Sequence, residues 1–134
     1  MANALTDAYR DFFLGGDNDW DSTHSTQLVD SADYTRSDAT HDFYDDVTAA
    51  GRVGTKTNIA SRTHAAGVAD GADTTLTSVT GDPSELIIVF ADTGTEATSD
   101  FGAIFDTATG LPVTPNGANI TITWDSGANK IFKL

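Results

Sequence analysis

The chain has 134 residues, no cysteine and a formal net charge of −13 at pH 7. This length predicts one domain that buries a core without disulfide bonds, and the lack of cysteine excludes thiolate metal sites and thiol nucleophiles. The seven basic residues are scattered among 20 acidic ones, so direct binding of DNA or RNA is not expected. No stretch approaches the roughly 18 apolar residues of a membrane span, and no signal peptide is evident, so we expect synthesis in the cytoplasm without membrane association.

Residues 1–16 predict a short helical arm. A helix is expected from Ala2 or Asn3 to Leu14, with Asn3 or Thr6 as the cap and two consecutive glycines as the stop signal. Its large apolar side chains fall on one stripe: Leu5, Tyr9, Phe12 and Phe13. The stripe is expected either to pack on its own domain or to insert into a neighbouring subunit.

The next segment is less regular. Trp20 stands in an acidic loop, where it is interpreted either as a lid over a sheet or as an interface anchor. The segment 27–29 predicts a brief strand. The segment 38–47 predicts a helical turn that presents Phe43 and Tyr44.

Residues 51–134 predict a β-core. Segments with strand character are separated by Gly, Pro, Asn or Asp, and they cover Arg52–Ile59, Thr74–Thr80, Leu86–Ala91, Gly102–Asp106, Ile120–Trp124 and Lys130–Leu134. The continuous apolar run 86–90 predicts a central strand buried on both faces. The segments 64–73 and 111–118 are expected to be loops. The chain 1–134 is therefore predicted to be a single, mainly β domain: an antiparallel β-sandwich or partly closed barrel of six or seven strands with a short N-terminal helix.

The last two predicted strands should form a hairpin. Ile120, Ile122 and Trp124 alternate with polar residues, which is typical of a strand buried on one face. The short segment 126–129 supplies a reversal, after which the chain returns as 130–134. Trp124 is expected to lie in the core.

No residue pattern indicates catalysis or a cofactor. The segment 17–21 alternates oxygen ligands as a calcium loop does, but Ser22 and Leu28 occupy the positions where an EF-hand needs Gly and Glu. A second acidic cluster is expected to face solvent: Asp42, Asp45 and Asp46. The three histidines, which lie far apart in sequence, are not spaced as zinc ligands: His24, His41 and His64. We therefore predict no catalytic, metal or cofactor residues, and no enzymatic activity.

Several stretches resemble a family of small structural proteins of tailed bacteriophages, which include head-decoration and capsid-cement proteins. The stretches are 1–20, 29–35, 67–73, 106–117 and 122–134. The chain departs from the family at 21–27, where polar residues stand in place of an apolar strand. The resemblance implies a virion component and does not by itself distinguish the head from the tail. Our primary hypothesis is a decoration or cement protein that binds the lattice of the major capsid protein on the capsid exterior and forms homo-oligomers there.

Such a protein acts through its surfaces, where aromatic anchors carry much of the binding energy. The candidate interface residues are Tyr9, Phe12, Phe13, Trp20, Leu111, Pro112 and Val113. A tail, neck or baseplate component is the alternative within the same class. A calcium-dependent adhesion or carbohydrate-binding module is a more distant one, supported by the acidic loops and the predicted β-fold.

Overall fold

The computed structural model describes residues 3–17 and 19–134. Within these residues the chain forms one α-helix and ten strands: β1 (Ala4–Leu5), α1 (Asp7–Gly15), β2 (His24–Val29), β3 (Arg52–Asn58), β4 (Thr63–Ala65), β5 (Val68–Asp70), β6 (Thr74–Leu76), β7 (Leu86–Ala91), β8 (Phe101–Phe105), β9 (Ile120–Ile122) and β10 (Phe132–Lys133). Short 3-10 helices cover Tyr44–Asp46, Ala49–Gly51 and Glu96–Thr98. The predicted mainly β class is confirmed. No described helix is long and apolar enough to cross a bilayer.

The strands form antiparallel sheets of five, three and two strands, in the orders β1-β8-β7-β2-β3, β10-β5-β4 and β6-β9. The sheets do not close into a barrel, so the arrangement is that of a sandwich. Strand β7 lies in the middle of the five-stranded sheet, and all six of its residues are buried. The prediction of a central strand at this apolar run is confirmed.

One face of the five-stranded sheet is covered by the irregular segment between β2 and β3. Ile88, Phe90 and Ile104 project from this face and pack with Tyr34 and Tyr44. The Tyr44 ring stacks on Phe90 with centroids 4.1 Å apart. The predicted helical turn at 38–47 is thus limited to the 3-10 helix at 44–46, which anchors the segment by burying Tyr44.

The opposite face is covered by the helix and the two smaller sheets. Ile87 and Leu28 pack with the β6-β9 sheet through Leu76 and Ile122. Further along the sheet, Val89, Ala91 and Ala103 belong to a second cluster, which also includes residues of α1, β5, β10 and nearby loops. The other buried members of this cluster are Tyr9, Phe12, Trp20, Ile59, Ala69, Ile131 and Phe132. This face therefore has a composite cover made from segments far apart in sequence.

Strand β2 is polar in sequence and yet entirely buried. Thr26 donates from its hydroxyl to the carbonyl of Ile88 at 2.8 Å, and the Gln27 amide donates to the carbonyl of Gly54 at 2.7 Å. Because its polar side chains find partners inside the fold, the strand tolerates burial without apolar residues. The predictions of a strand limited to 27–29 and of a β-core restricted to 51–134 are therefore wrong.

The N-terminal helix begins later than predicted. Ala4 and Leu5 form a strand on β8, with Leu5 opposite Ala103. Thr6 is the N-cap: its Oγ1 accepts from the backbone N–H of Tyr9 at 3.2 Å and donates to the carbonyl of Phe101 at 2.6 Å. This double hydrogen bond ties the start of the helix to the sheet. Of the two predicted caps, Thr6 is correct, and the predicted start at Ala2 or Asn3 is wrong.

The predicted C-terminal hairpin is wrong. Strand β9 pairs with β6, and β10 pairs with β5. Ile122 and Phe132 belong to different core clusters, so hydrophobic burial separates the two segments. The segment 64–73, predicted to be a loop, contains the whole of β5, which is the partner of β10. Trp124, predicted to lie in the core, follows β9 and is half-buried.

We expect Phe132→Ala to lower the free energy of unfolding by about 3–5 kcal/mol, the usual cost of truncating a buried aromatic residue. Its ring is 9% exposed and lies 5.3 Å from the Trp20 ring and 5.9 Å from the Tyr9 ring. Leu134→Ala is the control, since Leu134 is 58% exposed and should change stability by less than about 0.5 kcal/mol. Urea denaturation of both variants measures the difference. An equal decrease in the free energy of unfolding for the two variants would contradict the packing of β10 on the helix.

Candidate functional site

Three of the predicted interface aromatics lie in the core of their own chain. Tyr9, Phe12 and Trp20 are 0%, 5% and 4% exposed. The Trp20 indole N–H donates to the carbonyl of Asp70 at 2.9 Å. In this conformation they present no surface to a partner, so the alternative in which the stripe packs on its own domain is the one observed. Trp20 is a lid over the sheet.

Behind these rings lies a buried histidine that the sequence gives no reason to single out. His24 is fully buried, and its Nδ1 is 2.9 Å from the carbonyl oxygen of Ser22. Since a carbonyl only accepts, Nδ1 carries the proton, and Nε2 accepts from the Tyr9 hydroxyl at 2.5 Å. Burial lowers the pKa of His24 to about 4, opposed in part by the Ser22 carbonyl. Burial likewise raises the pKa of Tyr9 well above its ordinary value. The pair is a neutral hydrogen bond within the core.

The other two histidines lie elsewhere, so the three do not converge on a metal. His41 forms a hydrogen bond with Tyr34, in which its Nδ1 lies 2.7 Å from the hydroxyl oxygen. His64 lies at the surface, with its Nε2 3.4 Å from a carboxylate oxygen of Asp21.

The acidic loop does not assemble as a calcium site in the residues described. Asp19 accepts the backbone N–H of Ser22 at 3.0 Å and so closes a turn, while Asp21 faces His64. Carboxylate oxygens of Asp30, Asp33 and Asp82 approach one another within 4.8 Å. Asp33 and Asp82 are exposed, and exposed carboxylates commonly gather without a metal.

A second group of acids surrounds a small hollow of about 380 Å³ beside α1. Its acidic lining residues are Asp7, Asp11, Asp17, Asp42 and Asp100. Burial, with help from the nearby Asp17 and Asp42, raises the pKa of Asp100. In the second predicted acidic cluster, Asp46 accepts the backbone N–H groups of Asp42 and Phe43 at 2.8 and 3.1 Å. That carboxylate therefore caps the 3-10 helix, whereas Asp42 and Asp45 are exposed as predicted.

An apolar cleft of about 950 Å³ opens on the composite face of the five-stranded sheet. Its walls come from β1, α1, β8, the segment around β9 and the segment around β10. The main apolar lining residues are Leu5, Phe13, Phe105, Ile122, Trp124 and Phe132. Phe13 is the one member of the predicted aromatic stripe that reaches the cleft. Leu14, which is not among the predicted interface residues, lies on its rim and is 85% exposed.

Charges at the cleft differ from those of the protein as a whole. Three of the seven basic residues lie in its lining, Arg10, Lys130 and Lys133, whereas Asp125 is the one acid there among the described residues. Arg10 contacts Asp7 at 2.8 Å and Lys130 lies 3.6 Å from Asp70, both at partly exposed positions. Lys133 is exposed and has no ion-pair partner within 3–17 and 19–134. The cleft thus combines apolar walls with a basic margin.

The loop that carries the remaining predicted interface residues lies against the β6-β9 end of the sandwich. Leu111 and Val113 are half-buried on the cluster that contains Leu76, and Pro112 between them is exposed. The backbone of Val113 exchanges hydrogen bonds of 2.8 and 2.9 Å with Ser84, which fixes the loop to the body of the domain. None of these three residues lines the cleft.

Stability should fall as the pH is lowered from about 6.5 to about 4. In the unfolded chain His24 takes up a proton near pH 6.5, whereas in the folded chain its pKa is about 4. The loss in free energy of unfolding is therefore absent at neutral pH and grows as the pH falls from 6.5 to 4. Below the folded pKa the loss is complete, at roughly 3 kcal/mol. Urea denaturation between pH 7 and 4, with an NMR titration of the His24 ring, measures it.

His64→Gln is the control for this dependence, because His64 is 60% exposed; the variant should retain the slope, whereas His24→Gln should reduce it. A His24 ring that titrates near pH 6.5 in the folded protein would contradict the burial argument.

Chelation should leave stability unchanged. The acidic loop lacks the calcium pattern and its carboxylates make other contacts, so we expect EDTA to move the melting temperature by no more than about one or two degrees. Differential scanning calorimetry with EDTA and then with added calcium tests this. A large decrease that calcium reverses would instead favour the adhesion-module alternative.

Comparison with known proteins does not assign a function to the cleft. No family model matches the chain, and no curated protein gives a significant match.

Proposed function

We propose that the protein is a bacteriophage virion structural protein, a capsid decoration or cement protein that binds the lattice of the major capsid protein. The observation that carries the proposal is the apolar cleft with exposed Leu14 on its rim. Leu14 and the lining residues Trp124 and Phe132 fall within sequence stretches that resemble the phage family. A strongly acidic small protein with an open apolar cleft is suited to binding another protein.

In this proposal the protein acts by bridging lattice subunits. Each copy buries a moderate area, and many copies bound together give an avid shell although each contact is weak. A lattice presents symmetric sites, so association of copies around a local symmetry axis follows. The charge of −13 suits the capsid exterior, away from packaged nucleic acid. The protein would be made in the host cytoplasm and assembled there.

A non-enzymatic role agrees with the chemistry of the cleft. Its described lining includes no histidine, and Asp125 is its single carboxylate side chain. The buried Tyr9 and His24 pair faces the core, where no substrate reaches it. A tail, neck or baseplate location uses the same surfaces and is the alternative within this proposal.

Electron microscopy of the virion tests the location directly. Density on the head surface that fits the β-sandwich with its five-stranded sheet would support decoration. The same density on the tail, neck or baseplate would support the alternative, and a purified virion without the protein would overturn both.

Leu14→Ala should weaken attachment to empty capsids by about 5–30-fold, the effect expected when one exposed apolar anchor is removed. The melting temperature should stay within about one or two degrees of the parent, because Leu14 is 85% exposed. Pro112→Ala, at the other exposed apolar surface, is the matched variant and should attach normally. Co-sedimentation with capsids measures both. Weakened attachment for Pro112→Ala alone would place the contact on the 111–118 loop.

The buried aromatics give a different outcome. Phe12→Ala combined with Trp20→Ala should lose stability and attachment together, because both side chains support the core. A double variant that stays well folded and loses attachment would show instead that these residues contact the partner.

A further inference from the structure

The cleft is a gap in the cover of the five-stranded sheet. On the composite face, Ile122 from β9 covers one part of the sheet and Phe132 from β10 covers another. Between them the lining includes residues of the sheet itself, Ala103 and Phe105 of β8 among them. Phe105 is half-buried, and its ring lies 6.0 Å from that of Trp124. An apolar side chain that entered this gap would continue the sandwich core.

Two sheet edges border the same gap. Strand β1 is the last strand of the five-stranded sheet on one side, and β10 is the last strand of the three-stranded sheet. Residues of both strands line the cleft, Leu5 from the first and Lys133 from the second. Edge strands present backbone groups that an extended chain can pair with. The geometry therefore favours an extended protein segment over a compact ligand.

The charges select among such segments. The protein as a whole is strongly acidic, with 20 acidic and seven basic residues. At the cleft, Lys133 is exposed and unpaired among the described residues, while the ion pairs of Arg10 and Lys130 are solvent-exposed and therefore weak. A carboxylate placed at the cleft margin beside Lys133 would find an unpaired cation there. A lysine or arginine in the same place would be repelled by Lys133.

We infer that the cleft binds an extended segment of a partner protein that carries large apolar side chains next to an acidic residue. The inference rests on the proposed function, in which the partner belongs to the virion lattice, and it specifies the chemistry of that partner. Apolar side chains of the segment occupy the gap beside Phe13 and Trp124, and its carboxylate pairs with Lys133.

Two synthetic pentapeptides test the inference with the full chain. Both are acetylated and amidated with a Leu-Val-Phe core, one flanked by aspartates and the other by lysines. Titration into isotopically labelled protein is followed by NMR at physiological salt, where screening over about 8 Å weakens the effect of the net charge of −13 and leaves local pairs. The Trp124 indole N–H is a suitable reporter, because it is buried without a hydrogen-bond partner among the described residues. We expect the aspartate peptide to bind at least tenfold more tightly, with shifts confined to the cleft.

A charge-matched pair of variants isolates the role of Lys133. Lys133→Gln should lower the affinity for the aspartate peptide about fivefold or more. Thr55→Glu makes the same change in net charge at an exposed position on β3, outside the cleft lining, and should alter the affinity by less than twofold. Equal effects of the two variants would show that only net charge matters, which would overturn the pairing with Lys133.

Further outcomes separate this inference from the proposed function. Equal binding of both peptides, tighter binding of the lysine peptide, shifts outside the cleft, or no binding at all would each overturn the inference. If the protein still decorates virions, the proposed function stands. The protein could also self-associate in a way that Leu14→Ala abolishes and that neither peptide inhibits. This result would identify a second copy of the chain as the occupant of the cleft and would overturn the inference. Cleft-specific binding of the aspartate peptide by a protein that purified virions lack would support the inference and overturn the proposed function.

Discussion

The fold depends on the burial of a polar strand. Strand β2 lies between β7 and β3, and each of its polar side chains, His24 to Gln27, has a hydrogen-bond partner. Gln27 also accepts from the Tyr44 hydroxyl, which attaches the cover of one face, while His24 accepts from Tyr9, which attaches the helix on the other. A single strand therefore fixes the cover on both faces of the sheet. Loss of one partner would leave a buried polar group unsatisfied, at a cost of about 1–3 kcal/mol.

The features that could be predicted from the sequence are those with a local signal. The apolar run of β7 and the Thr6 cap have such signals, and both are confirmed. In strand β2 only the segment 27–29 has such a signal. The polar residues before it have none, because the stability of this strand depends on partners at Asp92, Ile88 and Gly54 that no local pattern reveals. The C-terminal hairpin was predicted from proximity in sequence. Burial in two different clusters decided the pairing instead, so a local rule failed where tertiary packing prevailed.

The candidate site was predicted only in part. Phe13 and the loop around Pro112 remain at or near the surface, whereas Tyr9, Phe12 and Trp20 are buried. Amphipathic spacing identifies which residues share a helix face, but it does not say whether that face meets the chain's own sheet or a partner. The cleft joins residues near both ends of the described chain, so no single segment could reveal it. One local signal did indicate an exposed apolar residue. Leu14 directly precedes a pair of glycines, which marks the end of the helix, and its side chain is exposed there.

The order of strands also has a consequence for how the chain reaches its native state. Ala4 pairs opposite Ile104, His24 opposite Ala91, and Ala69 opposite Phe132. Such pairings close large loops before any contact compensates for the lost chain entropy, so folding should be slow for a domain of this size, on the millisecond-to-second scale of high-contact-order β-proteins. Assembly of β1 and β10 requires most of the chain, and the cleft between them can exist only once folding is nearly complete. A partner that recognises the cleft would thereby select mature molecules.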